Sequence, residues 1–207
     1  MNEMDLQPTK LQSLILYIVQ NLHRELGGIE LAKIIYLIDV EMMRNVGRTI
    51  TGEAYARAPN GPLARDFSWA INTMLGFELT IHEEQSKGYS GINKNCHILG
   101  DDPRFKPELD DLELLFAHKV LKEIGQLSPI QLENLAYDTE PMKAIVEEEK
   151  TTGQKRGKVL NLSLIKQNPA YRRWRENISK PQKKDPEYEQ FLESEALEID
   201  ELITIGD

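Results

Sequence analysis

Apolar residues follow helical spacing in two long runs between residues 9 and 46. The first run starts behind a Thr9-x-x-Gln12 capping box, and the second extends from Gly28 to Val46. In both runs apolar side chains recur at steps of three and four residues, which predicts two amphipathic helices. Gly47 follows the second run, where a glycine can adopt the left-handed conformation that often ends a helix. Both apolar stripes are wide, so we expect both helices to be buried.

The pattern then changes to short alternating runs. Residues 49–58 are expected to be extended, with a turn at Gly52. Asn60-Gly61-Pro62 predicts the start of another helix, because Asn caps helices well and Pro is tolerated in the first helical turn.

Alternation in residues 78–84 and 93–99 predicts a β-hairpin, and we expect the extended 49–58 segment to join it. Three potential metal ligands lie in this hairpin: His82, Cys96 and His97. A zinc site needs a further ligand and a recognisable spacing. We therefore interpret the segment as a half-buried strand pair and predict no metal site.

Two further capping boxes mark helices in the C-terminal half. Asp110-x-x-Glu113 opens a helix that reaches Ile124, and Ser128-Pro129-Ile130-Gln131 opens the next. Pro141 begins another short helix. The core side of the first of these helices is expected to comprise Leu112, Leu115, Phe116, Val120 and Ile124.

Together these patterns predict an α+β fold that is mostly α. We expect about seven helices, a small antiparallel β-sheet or hairpin, and an acidic C-terminal extension that is helical when docked. The 207 residues divide into a domain at 1–175 and a charged extension at 176–207. An apolar content of 40% suffices for a sizeable core.

The net charge of −9 arises from the C-terminal segment. Residues 185–207 contain nine acidic residues and neither Lys nor Arg. Apolar residues at helical spacing run through the same segment, and such a stripe needs a surface to fold against. This surface is the chain's own basic segment 155–184, a second copy of the chain or a basic groove on a partner, and we favour a partner or a second copy. The candidate partner-binding residues are Tyr188, Phe191, Leu192, Ile199, Leu202 and Ile203.

The preceding segment, residues 155–184, is basic. It holds ten Lys or Arg residues against one acidic residue, and Tyr171-Arg172-Arg173-Trp174-Arg175 interleaves arginines with aromatic rings. Arginines contact phosphates and aromatic rings stack on bases, so one interpretation is a nucleic-acid surface. The other interpretation, which we prefer, is a terminal helix with its aromatic side chains packed and its arginines solvated.

Several classes of protein are disfavoured by the sequence. A single cysteine fits a reducing compartment, and no apolar run of transmembrane length or signal-peptide pattern is present, so a soluble cytoplasmic protein is expected. We find no catalytic triad order and no phosphate-binding glycine loop. The sequence thus predicts neither an enzyme nor a cofactor.

Asp39 is the conspicuous polar residue of the second apolar run. A buried carboxylate requires donors, because burial without partners costs several kcal/mol. We therefore expect Asp39 to be buried and to accept hydrogen bonds from backbone N–H groups of residues 48–53 or from a nearby basic or hydroxyl side chain.

Around Asp39 runs a motif of three parts: Lys-x-x-Tyr-x-x-Asp, then Gly-Arg-x-Ile-Thr-Gly-x-x-Tyr, then Gly-Pro. Its residues are Lys33, Tyr36, Asp39, Gly47, Ile50, Thr51, Gly52, Tyr55, Gly61 and Pro62. In this order and spacing the motif resembles the core of the SocA-like antitoxin domain, also called the Panacea domain. The resemblance extends over about residues 10–165, since residues 157–165 are similar to the family's closing element.

This resemblance implies a mostly helical antitoxin, without a known catalytic site, from a bacterial or phage toxin–antitoxin pair. Its implied partner is a cognate protein toxin, which it neutralises by direct binding or delivers to a protease such as a Clp-type unfoldase. Self-association stays open, and a membrane partner is not implied. Two alternatives stand beside it: a nucleic-acid-binding regulator that uses residues 155–184, and a phage or host interaction adaptor without a toxin.

Overall fold

The fold was examined in a computed structural model. It describes the backbone of residues 7–22, 24–88, 91–101, 103–153 and 157–170, and their side chains except those of 82–88, 91–97 and 99. The helices within these ranges are α1 (Lys10–Leu22), α2 (Gly28–Val46), α3 (Phe67–Met74), α4 (Asp111–Ile124), α5 (Pro129–Tyr137) and α6 (Glu140–Thr152). The strands are β1 (Leu26–Gly27), β2 (Tyr55–Ala58), β3 (Gly61–Ala64), β4 (Leu79–Gly88) and β5 (Gly91–Gly100). The predicted fold class, α+β and mostly α, is confirmed.

The core is built on α1 and α2, as their apolar spacing predicts. α2 packs against α4, α5 and β3, while α1 packs against α3, α4 and β5. Gly47 ends α2 in the left-handed conformation, with φ of 77°, and its N–H donates to the carbonyl of Met43. Both predicted helices and this helix end are confirmed.

The capping boxes are formed as predicted. The Thr9 hydroxyl accepts from the Gln12 N–H, and the Gln12 side chain accepts from the Thr9 N–H in return. The boxes at Asp110–Glu113 and Ser128–Gln131 show the same reciprocal bonds at the starts of α4 and α5. Each box satisfies N–H groups that the first helical turn would leave unpaired.

The strands form two separate antiparallel sheets. β4 and β5 form the predicted hairpin, and β1 completes a three-stranded sheet by pairing with β5. β2 and β3 form the second sheet. The expectation that residues 49–58 join the first hairpin is therefore wrong, because β2 finds its partner in the strand that immediately follows it.

Asn60-Gly61-Pro62 does not start a helix, contrary to the sequence expectation. Pro59 and Asn60 form the turn between β2 and β3, so Ala58 pairs with Gly61. Gly61 has φ of 124°, which is incompatible with a helix and favours glycine. The next helix, α3, begins at Phe67, behind Asp66.

The orientation of α4 also differs from the prediction. Leu112 and Leu115 are 40% and 61% exposed, so they do not belong to the core. Glu113 lies inward instead, since its carboxylate receives Lys10 and Arg48. Phe116 lies at the edge of the core, and Val120 and Ile124 are buried as expected.

Residues 157–160 extend the second sheet on the outer side of β2. The Arg57 N–H donates to the Lys158 carbonyl at 2.8 Å, and the Leu160 N–H donates to the Tyr55 carbonyl at 2.7 Å. A 3-10 turn at Leu162–Leu164 follows. The described residues up to 167 form one compact unit. The predicted helical extension, residues 176–207, lies wholly outside the described residues, so the domain boundary after residue 175 stays a prediction.

Candidate functional site

The three motif residues on α2 share one flank of the helix and are all buried. Lys33, Tyr36 and Asp39 lie three residues apart, so their side chains project from neighbouring positions on the helix. Each contacts a different part of the fold: Lys33 reaches α5, Tyr36 reaches the start of α6, and Asp39 reaches the segment after α2. The flank therefore connects α2 to the segment that directly follows it and to two helices about a hundred residues away.

Asp39 accepts hydrogen bonds from several donors in the segment after α2. Its Oδ1 accepts from the N–H groups of Ile50 at 2.7 Å and Thr51 at 3.2 Å. Its Oδ2 accepts from the Thr51 hydroxyl and from the Tyr55 hydroxyl, the latter at 2.7 Å. The carboxylate is completely buried. The sequence prediction for Asp39 is thus confirmed, and residues 50–55 are held by this one side chain.

The protonation states in this cluster follow from burial. Burial raises the pKa of Asp39, the bonds from Thr51, Tyr55 and Ile50 lower it in part, and the pKa stays above its ordinary value of 3.8. Burial and the neighbouring Asp39 carboxylate raise the pKa of Tyr55 well above 10.0. Tyr55 therefore keeps its proton and donates a hydrogen bond to Asp39. Because these donors all point to a carboxylate that solvent does not reach, the cluster fixes the conformation of residues 50–55.

Tyr36 joins this cluster to α6. Its ring meets the Tyr55 ring edge-on, with 5.1 Å between the ring centroids. Its hydroxyl lies 2.7 Å from the hydroxyl of Thr139, which itself donates to the carbonyl of Ala136. Tyr36 is thus the donor to Thr139. Burial raises the pKa of Tyr36 to about 12, so the hydroxyl carries its proton at physiological pH.

Arg48, beside the motif glycine Gly47, connects the end of α2 to α4. One guanidinium nitrogen lies 2.7 Å from the buried Glu113 carboxylate, and another lies 2.9 Å from Asp110. Lys10 of α1 adds a second cation to Glu113 at 2.6 Å. Burial raises the pKa of Glu113, but these bonds more than offset it and leave the pKa below its ordinary 4.5.

Gly61 is favoured by its backbone conformation and lies next to Lys33. Its φ of 124° disfavours any side chain, and a Cβ here would lie 3.4 Å from Lys33 Cε and 3.8 Å from a ring carbon of Tyr137. The Lys33 ammonium is 3.0 Å from the Glu133 carboxylate on α5. The hairpin tip, α2 and α5 therefore meet at this lysine.

The other motif residues shape the loop and the hairpin. Gly52 has φ of 71°, and its N–H donates to the Thr49 hydroxyl. Pro62 pairs with Arg57, whose N–H and carbonyl bond to residues 157–158 and not to β3. Because this position of β3 needs no N–H toward β2, proline is accommodated there.

A groove opens over the Lys33 end of this network. It has a volume of about 890 Å³ and lies between the N-terminus of α2 and the N-terminus of α5. A narrower cleft of about 250 Å³ continues beneath the β2–β3 turn. Both are lined by Gly28, Ile29 and Asn60, and Ile29 is 52% exposed. We call the two together the α2–α5 groove; it is an apolar and polar surface next to the motif.

Several sequence candidates lie outside the described part of the chain. These are the six partner-binding residues Tyr188, Phe191, Leu192, Ile199, Leu202 and Ile203, and the arginine and aromatic residues of 171–175. In the hairpin, the backbone register pairs His82 with His97. Among the described side chains, no group of three His, Cys, Asp or Glu residues is placed to hold a metal. The helices described are also too short or too polar to cross a bilayer.

Glu133, Thr139 and Ile29 belong to this region but were not singled out from the sequence. Glu133 and Thr139 act through partners on α2 about a hundred residues earlier, which no local spacing reveals. Ile29 has helical spacing like its buried neighbours, so only the fold shows that it faces outward. The motif itself was the one available signal, since it marks their partners Lys33 and Tyr36.

Comparison with known proteins agrees with the motif. Residues 31–142, more than half of the chain, match the family model described as antitoxin SocA-like, Panacea domain. This range extends from α2 to the start of α6 and includes every motif residue. No curated protein and no solved structure matches the chain.

Proposed function

The chain belongs to the SocA-like antitoxin family, with a Panacea domain, and we propose that it is the antitoxin of a bacterial or phage toxin–antitoxin pair. It acts in the cytoplasm on a cognate protein toxin, without catalysis. It neutralises the toxin by binding it directly or by delivering it to a protease. The observation that carries this proposal is the family match over residues 31–142, which contains the complete motif.

The geometry of the motif supports a binding role. Its polar side chains make internal contacts: Asp39 binds the loop after α2, Tyr36 binds Thr139, and Arg48 binds Glu113. These contacts hold α2 and its C-terminal end against residues 50–55, the start of α6 and α4. The exposed Ile29 lies at the N-terminal end of α2, and a surface held in place by internal contacts binds with a smaller loss of conformational entropy.

A growth assay tests the proposal. The product of the neighbouring reading frame should arrest growth when expressed alone, and co-expression of this chain should restore it. A neighbouring product that is harmless would contradict the antitoxin function. The half-life of the toxin distinguishes the two mechanisms: direct binding leaves it unchanged or longer, whereas delivery to a protease shortens it.

The basic segment at 155–184 supports a second candidate, a nucleic-acid-binding regulator. If this segment binds phosphates, the acidic residues 185–207 compete for it, so the full chain should bind DNA or RNA weakly at physiological salt. Binding that falls steeply with salt and appears only after removal of 185–207 would indicate a non-specific contact. Tight, sequence-specific binding by the full chain would favour the regulator over the antitoxin. A phage or host adaptor would instead show no toxic neighbour.

A further inference from the structure

Lys33 has an unusual environment for a lysine. Its side chain is 3% exposed, yet Lys33 is one of the residues that line the α2–α5 groove. A charge at such depth requires an anion, because the loss of its hydration is not otherwise compensated. Among the described residues the anion is Glu133, whose own side chain is 50% exposed at the edge of the groove. The cation is thus fixed in place, whereas its counterion can turn into water.

The start of α2 adds partial positive charge to the same groove, whose lining also includes the exposed Glu25. Gly27 is the N-cap and provides no side-chain hydrogen bond, so the first N–H groups of the helix lack a side-chain cap. The N-terminus of a helix carries partial positive charge. The acidic residue of the first turn, Glu30, is already held by Arg24, which also donates to the carbonyl of Gly125. A further carboxylate in the groove would meet Lys33 and the start of α2 together.

The cleft beside Lys33 is mostly apolar, with Asn60 and Ser68 as its polar lining residues. Ile29, Pro59, Pro62 and Phe67 line its 250 Å³. A cavity of about 150 Å³ already accommodates a benzene ring. The cleft therefore has room for one large apolar side chain next to the carboxylate position.

We infer that the α2–α5 groove receives an extended segment of the toxin in which an acidic side chain lies beside a large apolar one. The acidic side chain replaces Glu133 at Lys33, and the apolar side chain enters the cleft beside Ile29. This inference rests on the proposed function and assigns the toxin-binding surface within it. Lys33 keeps one carboxylate partner throughout the exchange, because the toxin carboxylate takes the place of Glu133. The favourable free energy of binding therefore comes from the apolar contact.

Calorimetric titration of the full chain with the toxic product of the neighbouring reading frame tests this exchange. Glu133→Gln removes the competing carboxylate, so we expect the Kd to fall about five- to tenfold. Lys33→Gln should raise the Kd at least tenfold. Ile29→Ser should raise it as well, since Ile29 lies at the surface and its replacement is not expected to disturb the core. Two matched controls on other faces should leave the Kd unchanged: Glu147→Gln, and Leu115→Ser, whose residues are 70% and 61% exposed.

Glu133→Gln is decisive because the alternatives predict different signs. If Glu133 contacts a basic toxin segment, its replacement weakens binding, and the inference is overturned. If the groove is not an interface, Glu133→Gln and Ile29→Ser both leave the Kd unchanged, which also overturns it while the antitoxin function stands. If the unaltered chain does not bind the neighbouring product at all, the proposed function fails, and the inference fails with it.

Discussion

Replacing Asp39 with alanine tests whether the motif is a folding element. The variant leaves four donor groups without their acceptor: two N–H groups, of Ile50 and Thr51, and two hydroxyls, of Thr51 and Tyr55. The bonds of Ile50 and Tyr55 are fully buried, and each stranded buried donor costs about 1–3 kcal/mol. Thr51 is partly exposed, so water can replace its bonds.

The substitution also removes the free-energy cost of burying the Asp39 carboxylate, the same cost that raises its pKa, and this offsets part of the loss. The balance predicts a loss of about 2–4 kcal/mol in the free energy of unfolding. A change of 1 kcal/mol shifts the Tm of a domain of this size by about 2–4 °C, so the Tm should fall by roughly 4–16 °C.

Urea unfolding followed by circular dichroism measures this loss. Tyr55→Phe removes one of the donors and should cost about 1 kcal/mol. Glu147→Ala, which removes an exposed carboxylate from α6, should change stability by less than about 0.5 kcal/mol. An Asp39→Ala protein with unchanged Tm that no longer neutralises the toxin would refute the structural reasoning and place Asp39 in the binding surface.

Three further predictions concern other parts of the chain. The folded-state pKa of Glu113 lies below 4.5, so the stability that its charged form contributes is present above about pH 4.5 and is lost as the pH falls through the folded-state value. In acid unfolding titrations, the difference in unfolding free energy between the unaltered chain and Glu113→Gln should therefore disappear as the pH falls. A constant difference from pH 7 to pH 2 would contradict this. Tyr36→Phe removes the donor to Thr139 and should cost about 1 kcal/mol in urea unfolding, and an unchanged midpoint would show that this bond contributes nothing. Phe191→Ala combined with Leu192→Ala should weaken toxin binding in a pull-down while the Tm stays the same; normal binding would limit residues 185–207 to a solubilising role.

Local signals in the sequence were sufficient for most helices and for Asp39. Capping boxes depend on residues three apart, so Asp110 and Ser128 mark helix starts reliably. A carboxylate within an apolar run must find donors, and the nearest segment supplies them to Asp39. These predictions succeeded because the interactions that decide them are close in sequence.

The errors concern strand pairing and ion pairs between different segments, which the residue spacing within one segment does not reveal. Asn60-Gly61-Pro62 has the composition of a helix start, but pairing with β2 gives Gly61 a positive φ and makes the segment a strand. Leu115 has core spacing, but the ion pairs from Lys10 and Arg48 turn Glu113 inward and leave Leu115 in solvent. The α2–α5 groove was invisible for the same reason, because Lys33 and Glu133 are a hundred residues apart.

Copurification tests the central claim, that the chain acts through contact with a protein toxin, most directly. The tagged full chain and the untagged product of the neighbouring reading frame would be co-expressed, and the mass of the eluted species measured by size-exclusion chromatography with light scattering. We predict a single complex of fixed stoichiometry that dissociates when Lys33→Gln or Ile29→Ser is introduced. If co-expression restores growth but the two proteins elute separately, the result would contradict neutralisation by direct binding.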